Sequence, residues 1–335
     1  MRRCHDLFAR RAANRSIHCE AYSVGKSLIL RATFPAWLIL GLLVVTGVQA
    51  KDVENSCALH SASIEVDGGQ VHYDRAGHGQ PVILLHGLFA QKEQWQEVLC
   101  GLASAGFDAI APDLPGFGQS TDYPVSVYDL RRQVQLLGEF ADVLGLGPFD
   151  LAANSLGGAI AALYTRRDPA RVRRLAFIGP PLGVEPWGPG VRAAILQGIN
   201  PFIPTDQAQF ELEMGLLFVQ PPEVPDEVRE QLIRDYVARN LHYRQVWDIV
   251  NLFDGVLAGD ADESLDIVIP ALIVWGEGDS IYPVSAAPTL RKRLPGSQLV
   301  VLPGSGHLPM LERTAETQRL LVEFFGADDV ARVVP

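Results

Sequence analysis

Ser155 closes an apolar run at 149–154 and is followed at once by Leu156-Gly157-Gly158 and an alanine-rich segment. A buried strand, a one-residue reversal and a helix fit that order. Turning a strand into a helix so abruptly brings the two backbones almost into contact, so the residues two places either side of the serine must be small. Gly157 meets this demand, and Ala153 meets it with one methyl more than glycine. Such a turn lifts the hydroxyl clear of the sheet, and the helix aims its N-terminal N–H groups and positive dipole end towards it. Ser155 is therefore the candidate nucleophile. A serine that merely caps an ordinary helix is the plainer reading, and the rest of the chain has to decide between them.

Repeated strand–helix units surround this element. The segment 63–73 alternates apolar and polar residues around Asp67-Gly68, as a hairpin does. An uninterrupted apolar run at 82–85 suits a strand buried on both faces. Further strands are expected at 107–111, 172–178, 271–275 and 298–302, with helices at 94–105, 128–144, 286–294 and 313–325. That alternation predicts an α/β fold with a mostly parallel sheet flanked by helices.

The stretch 180–266 breaks the alternation. Phe210, Met214, Leu217 and Phe218 share one helical face, as do Val228, Leu232 and Tyr236, and then Tyr243, Trp247 and Val250. We read 180–266 as a helical cap inserted into a core formed by 51–179 and 267–335. Packing onto the sheet domain accounts for most of these stripes. Phe89, Met214, Phe218 and Trp247 are the residues expected to face a cavity over Ser155 and to bind substrate.

Composition narrows the partners. At 335 residues, 48% hydrophobic and 20% charged, the chain is an ordinary globular protein, and a net charge of −11 argues against nucleic acid. Residues 1–50 differ sharply, with seven Arg or Lys against two acids. Their basic part precedes an apolar run at 34–48, and Val48-Gln49-Ala50 supplies a signal-peptidase site before Lys51. A cleaved export signal is the preferred reading, giving a periplasmic or secreted protein. The alternative is an uncleaved anchor over 32–50. The leader's length also admits a start further downstream, near Val24. Contact with a membrane surface, if made, would run through the leader or the cap. Glu54 stands where a lipobox requires an apolar residue, against lipidation at Cys57. Export permits a Cys57–Cys100 disulfide, with two free thiols as the alternative. No Cys/His spacing suggests a metal, and no cofactor is called for.

A serine hydroxyl needs a base within reach, itself oriented by a third group. His307 follows the last expected strand in Pro303-Gly-Ser-Gly-His-Leu-Pro309, where a loop can hang an imidazole over the sheet edge. His5 and His18 lie in the leader, His60, His72 and His78 near the hairpin, and His242 in the insertion. Asp279 follows the strand at 271–275 and is the candidate orienter, at the strand end where open α/β sheets build sites. Asp260, Asp262 and Asp266 precede that strand, and Glu277 is a weaker competitor. An oxyanion hole completes the set. Its donors are expected to be the N–H groups of Leu156 and Leu88, with Phe89 as the alternative to Leu88. His86 is expected to shape its own loop by hydrogen bonding.

The order Ser155, Asp279, His307, together with His86-Gly87, the turn Asp113-Leu-Pro-Gly-Phe-Gly-Gln-Ser120 and the site of the insertion, resembles the α/β-hydrolase fold over about 60–335. The start His86-Gly-Leu-Phe89 and the insertion's runs at 203–218 and 241–253 most resemble monoacylglycerol lipases and related bacterial lipases and esterases. The resemblance implies a serine hydrolase that cleaves small-molecule or lipid esters through an acyl-enzyme. Dehalogenase and epoxide hydrolase relatives carry Asp where Ser155 stands, which disfavours those chemistries. A carbon–carbon bond hydrolase, a perhydrolase or haloperoxidase-like member, and a non-catalytic binding or foldase-like relative are the alternatives.

Overall fold

The computed structural model describes residues 57–180, 187–251 and 264–327. The leader with its cleavage site, Asp260 and Asp262 lie outside them. Eight strands form one sheet: β1 (His60–Val66), β2 (Gly69–Gly77), β3 (Gln80–Leu85), β4 (Phe107–Pro112), β5 (Phe149–Asn154), β6 (Val172–Ile178), β7 (Ala271–Gly276) and β8 (Gln298–Leu302). Their order is β1-β2-β4-β3-β5-β6-β7-β8. β2 runs antiparallel to both its neighbours, and every other pairing is parallel. This is the α/β-hydrolase fold with a mostly parallel sheet.

The hairpin forms where its sequence places it. Val66 pairs with Gly69, and Asp67 and Gly68 take φ of 48° and 78°, as a two-residue hairpin turn of this twist requires. Along β3, Ile83 and Leu85 face one core cluster while Val82 and Leu84 face the other. Both faces are thus covered, which is why this strand reads as an unbroken apolar run. Burying each such branched side chain contributes roughly 1.5–3 kcal/mol.

Helices α1 (Gln96–Ser104) and α10 (Thr314–Phe325) cover one face, through Leu99 and Leu102 on the first and Leu321 and Phe325 on the second. Gln318 Nε2 ties them by donating to Glu97 O at 2.6 Å. Helices α2 (Leu130–Val143), α3 (Leu156–Arg167) and α8 (Ala287–Arg293) lie in the other cluster. Asp129 starts α2 by accepting from the N–H groups of Arg131 and Arg132. Cys57 is disulfide-bonded to Cys100, with a Cα separation of 5.4 Å, which fastens the segment before β1 to α1.

Between β6 and β7 the described residues form four helices, α4 (Pro189–Leu196), α5 (Gln207–Leu217), α6 (Asp226–Ala238) and α7 (Asn240–Asn251), which act as a cap. The cap is attached by backbone as well as by side chains. Gly188 N–H donates to Ile281 O at 2.8 Å, and His242 Nε2 reaches Gly116 O at 2.8 Å. Phe218 does not continue the face of Phe210, Met214 and Leu217: it lies one residue past α5 in extended conformation. The short helix α9 (Pro309–Glu312) precedes α10. No helix among the described residues is long and apolar enough to cross a membrane.

Candidate active site

β5 ends at Asn154 and α3 begins at Leu156, so Ser155 alone makes the turn. Its φ of 49° and ψ of −120° lie where L-residues rarely sit, a strain that the packed strand and helix must hold in place. A Cβ on Gly157 would come within 2.6 Å of His86 O and 2.7 Å of Leu85 O, so only glycine lets α3 approach β3 this closely. Ala153 is fully buried between its β3 and β6 partners, Leu85 and Phe177, and the sheet absorbs the extra methyl.

His307 sits on the loop after β8 and lines the same cavity as Ser155. Its Nδ1 lies 2.9 Å from Asp279 Oδ2. The other carboxylate oxygen, Oδ1, accepts from the N–H groups of Ile281 and Tyr282, each at 2.9 Å. Asp279 is thereby held as an acceptor, His307 donates from Nδ1, and Nε2 is left as the basic nitrogen. Gly179 packs beside the pair: a Cβ there would sit 3.2 Å from both Asp279 Oδ2 and His307 Nδ1, on a backbone with φ of 54°. Of the competing acids, Asp266 and Glu277 are exposed.

Asn154 is a site residue that sequence reasoning missed. Its Nδ2 donates to Ile178 O at 2.9 Å and to His307 O at 3.2 Å, while Gln94 Nε2 donates to its Oδ1 at 3.3 Å. The buried amide thus joins the turn at Ser155 to the loop of His307, 153 residues further along the chain. Nothing near Asn154 in the sequence announces that partner.

The loop after β3 carries Leu88 and Phe89, the latter at φ of 56°. His86 shapes it. The buried ring donates from Nδ1 to Gly87 O at 2.8 Å and accepts the Leu114 N–H at Nε2, 2.9 Å. Burial lowers its pKa to about 4, so the ring is neutral and both nitrogens are engaged. The N–H groups of Leu156 and Gly157 are among those that the first turn of a helix leaves without intrahelical partners. They stand directly after the serine.

Ser155 and His307 line one cavity of about 540 Å³ between sheet and cap. Leu88, Phe89, Met214 and Phe218 also line it. Trp247 does not. It packs instead behind the wall, with its ring 5.8 Å from Trp187 and 5.6 Å from Phe202, both of which do line the cavity. The helical stripe of Trp247 was legible, but the side of the cap it serves was decided by packing.

Residues 80–314 match the alpha/beta hydrolase fold family. The chain belongs to that family. This alpha/beta hydrolase is 29% identical over 265 residues to the monoacylglycerol lipase ABHD6 of Mus musculus, which covers 76% of this chain and 77% of the relative. Among solved structures it is similar to a membrane phospholipase A called a bacterial virulence factor, with a TM-score of 0.71 and 29% identity over 80% of this chain and 86% of that one. A variant of a meta-cleavage product hydrolase also superposes, with a TM-score of 0.67 and 25% identity over 79% of this chain and 97% of that one. Fold and relatives together make this alpha/beta hydrolase a hydrolytic enzyme.

Proposed function

We propose that this alpha/beta hydrolase cleaves carboxylic esters, monoacylglycerols among them, through an acyl-enzyme on Ser155. The observation that carries the reading is the buried Asp279–His307 pair, 2.9 Å apart, on the wall of the cavity that Ser155 shares. His307 Nε2 takes the Ser155 proton as Oγ bonds to the ester carbon, and the carbonyl becomes an oxyanion held by the N–H groups of Leu88 and Leu156. Collapse of that intermediate breaks the ester C–O bond, and the alcohol leaves with the proton from His307. Water then attacks the acyl-enzyme, giving up a proton to His307, and Ser155 departs with that proton as the acid is released. The Asp279 carboxylate stabilises the imidazolium in both halves. Trp187, Phe202, Ile281, Leu308 and Leu311 line the cavity with apolar surface suited to an acyl chain.

Likeness to a meta-cleavage product hydrolase keeps carbon–carbon bond cleavage as the second reading. The cavity wall speaks against it. Its described lining holds Glu213, Glu223 and Glu312 and no Lys or Arg, a poor match for an anionic substrate. The Cys57–Cys100 disulfide supports the reading of residues 1–50 as an export signal, since such bonds persist in oxidising compartments.

The test is Ser155→Ala assayed on a series of acyl esters alongside covalent labelling by a fluorophosphonate. Wild type should hydrolyse the esters and take the label. The variant should do neither while melting at a similar temperature. Retained hydrolysis in Ser155→Ala would overturn the assignment.

A further inference from the structure

We propose that Glu213, hydrogen-bonded by Tyr236, is a polar subsite in the cap that takes a hydroxyl group of an uncharged polyol ester, such as the glycerol end of a monoacylglycerol. This deepens the ester-hydrolase reading and rests on it.

Glu213 lies on α5 and is 6% exposed, yet it lines the same cavity as Ser155 and His307. Its helix neighbours Phe210, Met214 and Leu217 line the cavity with it, as does Leu232 of α6. A carboxyl in such apolar company is costly unless its oxygens find partners. Tyr236, from α6, donates to Oε1 across a long 3.4 Å, and Oε2 receives no hydrogen bond among the described residues. A group that served only to join α5 to α6 would be expected to use both oxygens at shorter range. Glu213 instead offers hydrogen-bonding capacity to the cavity.

The chemistry of that capacity selects the ligand. Burial raises the Glu213 carboxyl to about 8, so at neutral pH it carries one O–H donor and one carbonyl acceptor. A hydroxyl group, which both donates and accepts, complements this pair. A phosphate or carboxylate does not, because Glu223 and Glu312 share the lining and no described lining residue is Lys or Arg. Tyr236 is itself held in place. Its ring lies 5.1 Å from that of Tyr243, which donates to Asp235 Oδ2 at 2.9 Å and meets Phe89 edge-on at 5.3 Å. The subsite is therefore continuous with the loop that carries Leu88. Its signal in the sequence was hidden, since Glu213 falls beside Met214 in a stripe that reads as apolar.

The experiment measures kcat/KM for 1-monooctanoylglycerol and for ethyl octanoate with wild type, Glu213→Leu and Glu213→Gln. The two esters share an acyl chain and differ in the hydroxyls of the alcohol. In Glu213→Leu the ratio of the two kcat/KM values should fall roughly three- to tenfold, the worth of one neutral hydrogen bond. Glu213→Gln, which keeps a donor and an acceptor, should recover most of that ratio. A ratio unchanged in Glu213→Leu, with both esters declining together, overturns the subsite and leaves Glu213 a structural tie. A third substrate, lysophosphatidylcholine, tests whether Glu213 acts instead as a carboxylate that pairs with a cationic head group: a loss confined to it in Glu213→Gln would overturn the hydroxyl assignment. If wild type hydrolyses neither octanoate ester and takes no fluorophosphonate label, the ester-hydrolase reading itself fails.

Discussion

Glu312 accepts the N–H of Gly306 at Oε2, 2.5 Å away, and with its other oxygen accepts the N–H of Val219 at 2.8 Å. One carboxylate therefore joins the residue before His307 to the residue after Phe218. The His307 N–H adds a second link, donating to Leu217 O at 2.9 Å. The loop that carries the imidazole and the end of cap helix α5 are consequently one hydrogen-bonded unit, and a displacement of either disturbs the other.

Replacing Glu312 by Ala removes both bonds, leaving the part-buried Gly306 N–H without its acceptor, and should cost about 1–2 kcal/mol. We expect a lower melting temperature together with a roughly three- to tenfold lower kcat on esters, and Glu312→Gln should restore part of both. A variant that melts early but turns over at the wild-type rate would show that the carboxylate staples the cap without orienting His307.

Asp279→Asn keeps the shape of the Asp279–His307 pair but puts an N–H or a weaker acceptor opposite Nδ1. The imidazole then favours the tautomer whose Nε2 carries the proton and cannot accept from Ser155. Turnover of any ester should fall by roughly four orders of magnitude with little change in KM. The measurement is steady-state kinetics on a chromogenic ester. A loss under tenfold would remove Asp279 from the role of orienter.

Two buried acids make a contribution to stability that falls as pH rises. Burial raises Glu213 from 4.5 to about 8 and Asp113 from 3.8 to about 7, the latter against N–H donors from Gln119 and Lys92. The folded protein thus holds protons that the unfolded chain has already released. Stability is greatest below about pH 4 as far as these two groups go, and declines as pH rises towards about 8. Glu213→Gln should flatten the upper part of that decline, read as melting temperature against pH from 6 to about 8.5. Parallel curves for wild type and variant would show that Glu213 is already ionised in the fold.

The Cys57–Cys100 bond closes a loop of 43 residues. Its reduction, or Cys100→Ser, should lower the free energy of unfolding by about 2–4 kcal/mol, measured by urea denaturation with and without reductant. The bond lies on the α1 face of the sheet, in the core cluster opposite the one that holds Leu156. Ester hydrolysis by the folded protein should therefore survive reduction at a temperature well below the transition.

Much of the core was legible because its signals are local. The unbroken run of β3 reports burial on both faces, Asp67-Gly68 reports a turn that needs positive φ, and the small residues around Ser155 report two backbones in near contact. The cap was legible only as helical stripes. Phe218 fell outside its helix, and Trp247 turned to Trp187 and Phe202 rather than to the cavity. A stripe records that a face is apolar, and several apolar surfaces compete to cover it.

From residue order alone come the alternation of strands and helices, the strained turn at Ser155 and the loops on which Asp279 and His307 ride. These follow from periodicity and turn chemistry acting over a few neighbours at a time. Only the folded sheet decides that Asn154 grips the His307 loop, that Gly179 leaves room beside Asp279, that Glu312 locks the cap to that loop and that Glu213 opens onto the cavity. Each of these depends on groups far apart in the chain being brought to within a few ångströms, and no local pattern encodes such a meeting.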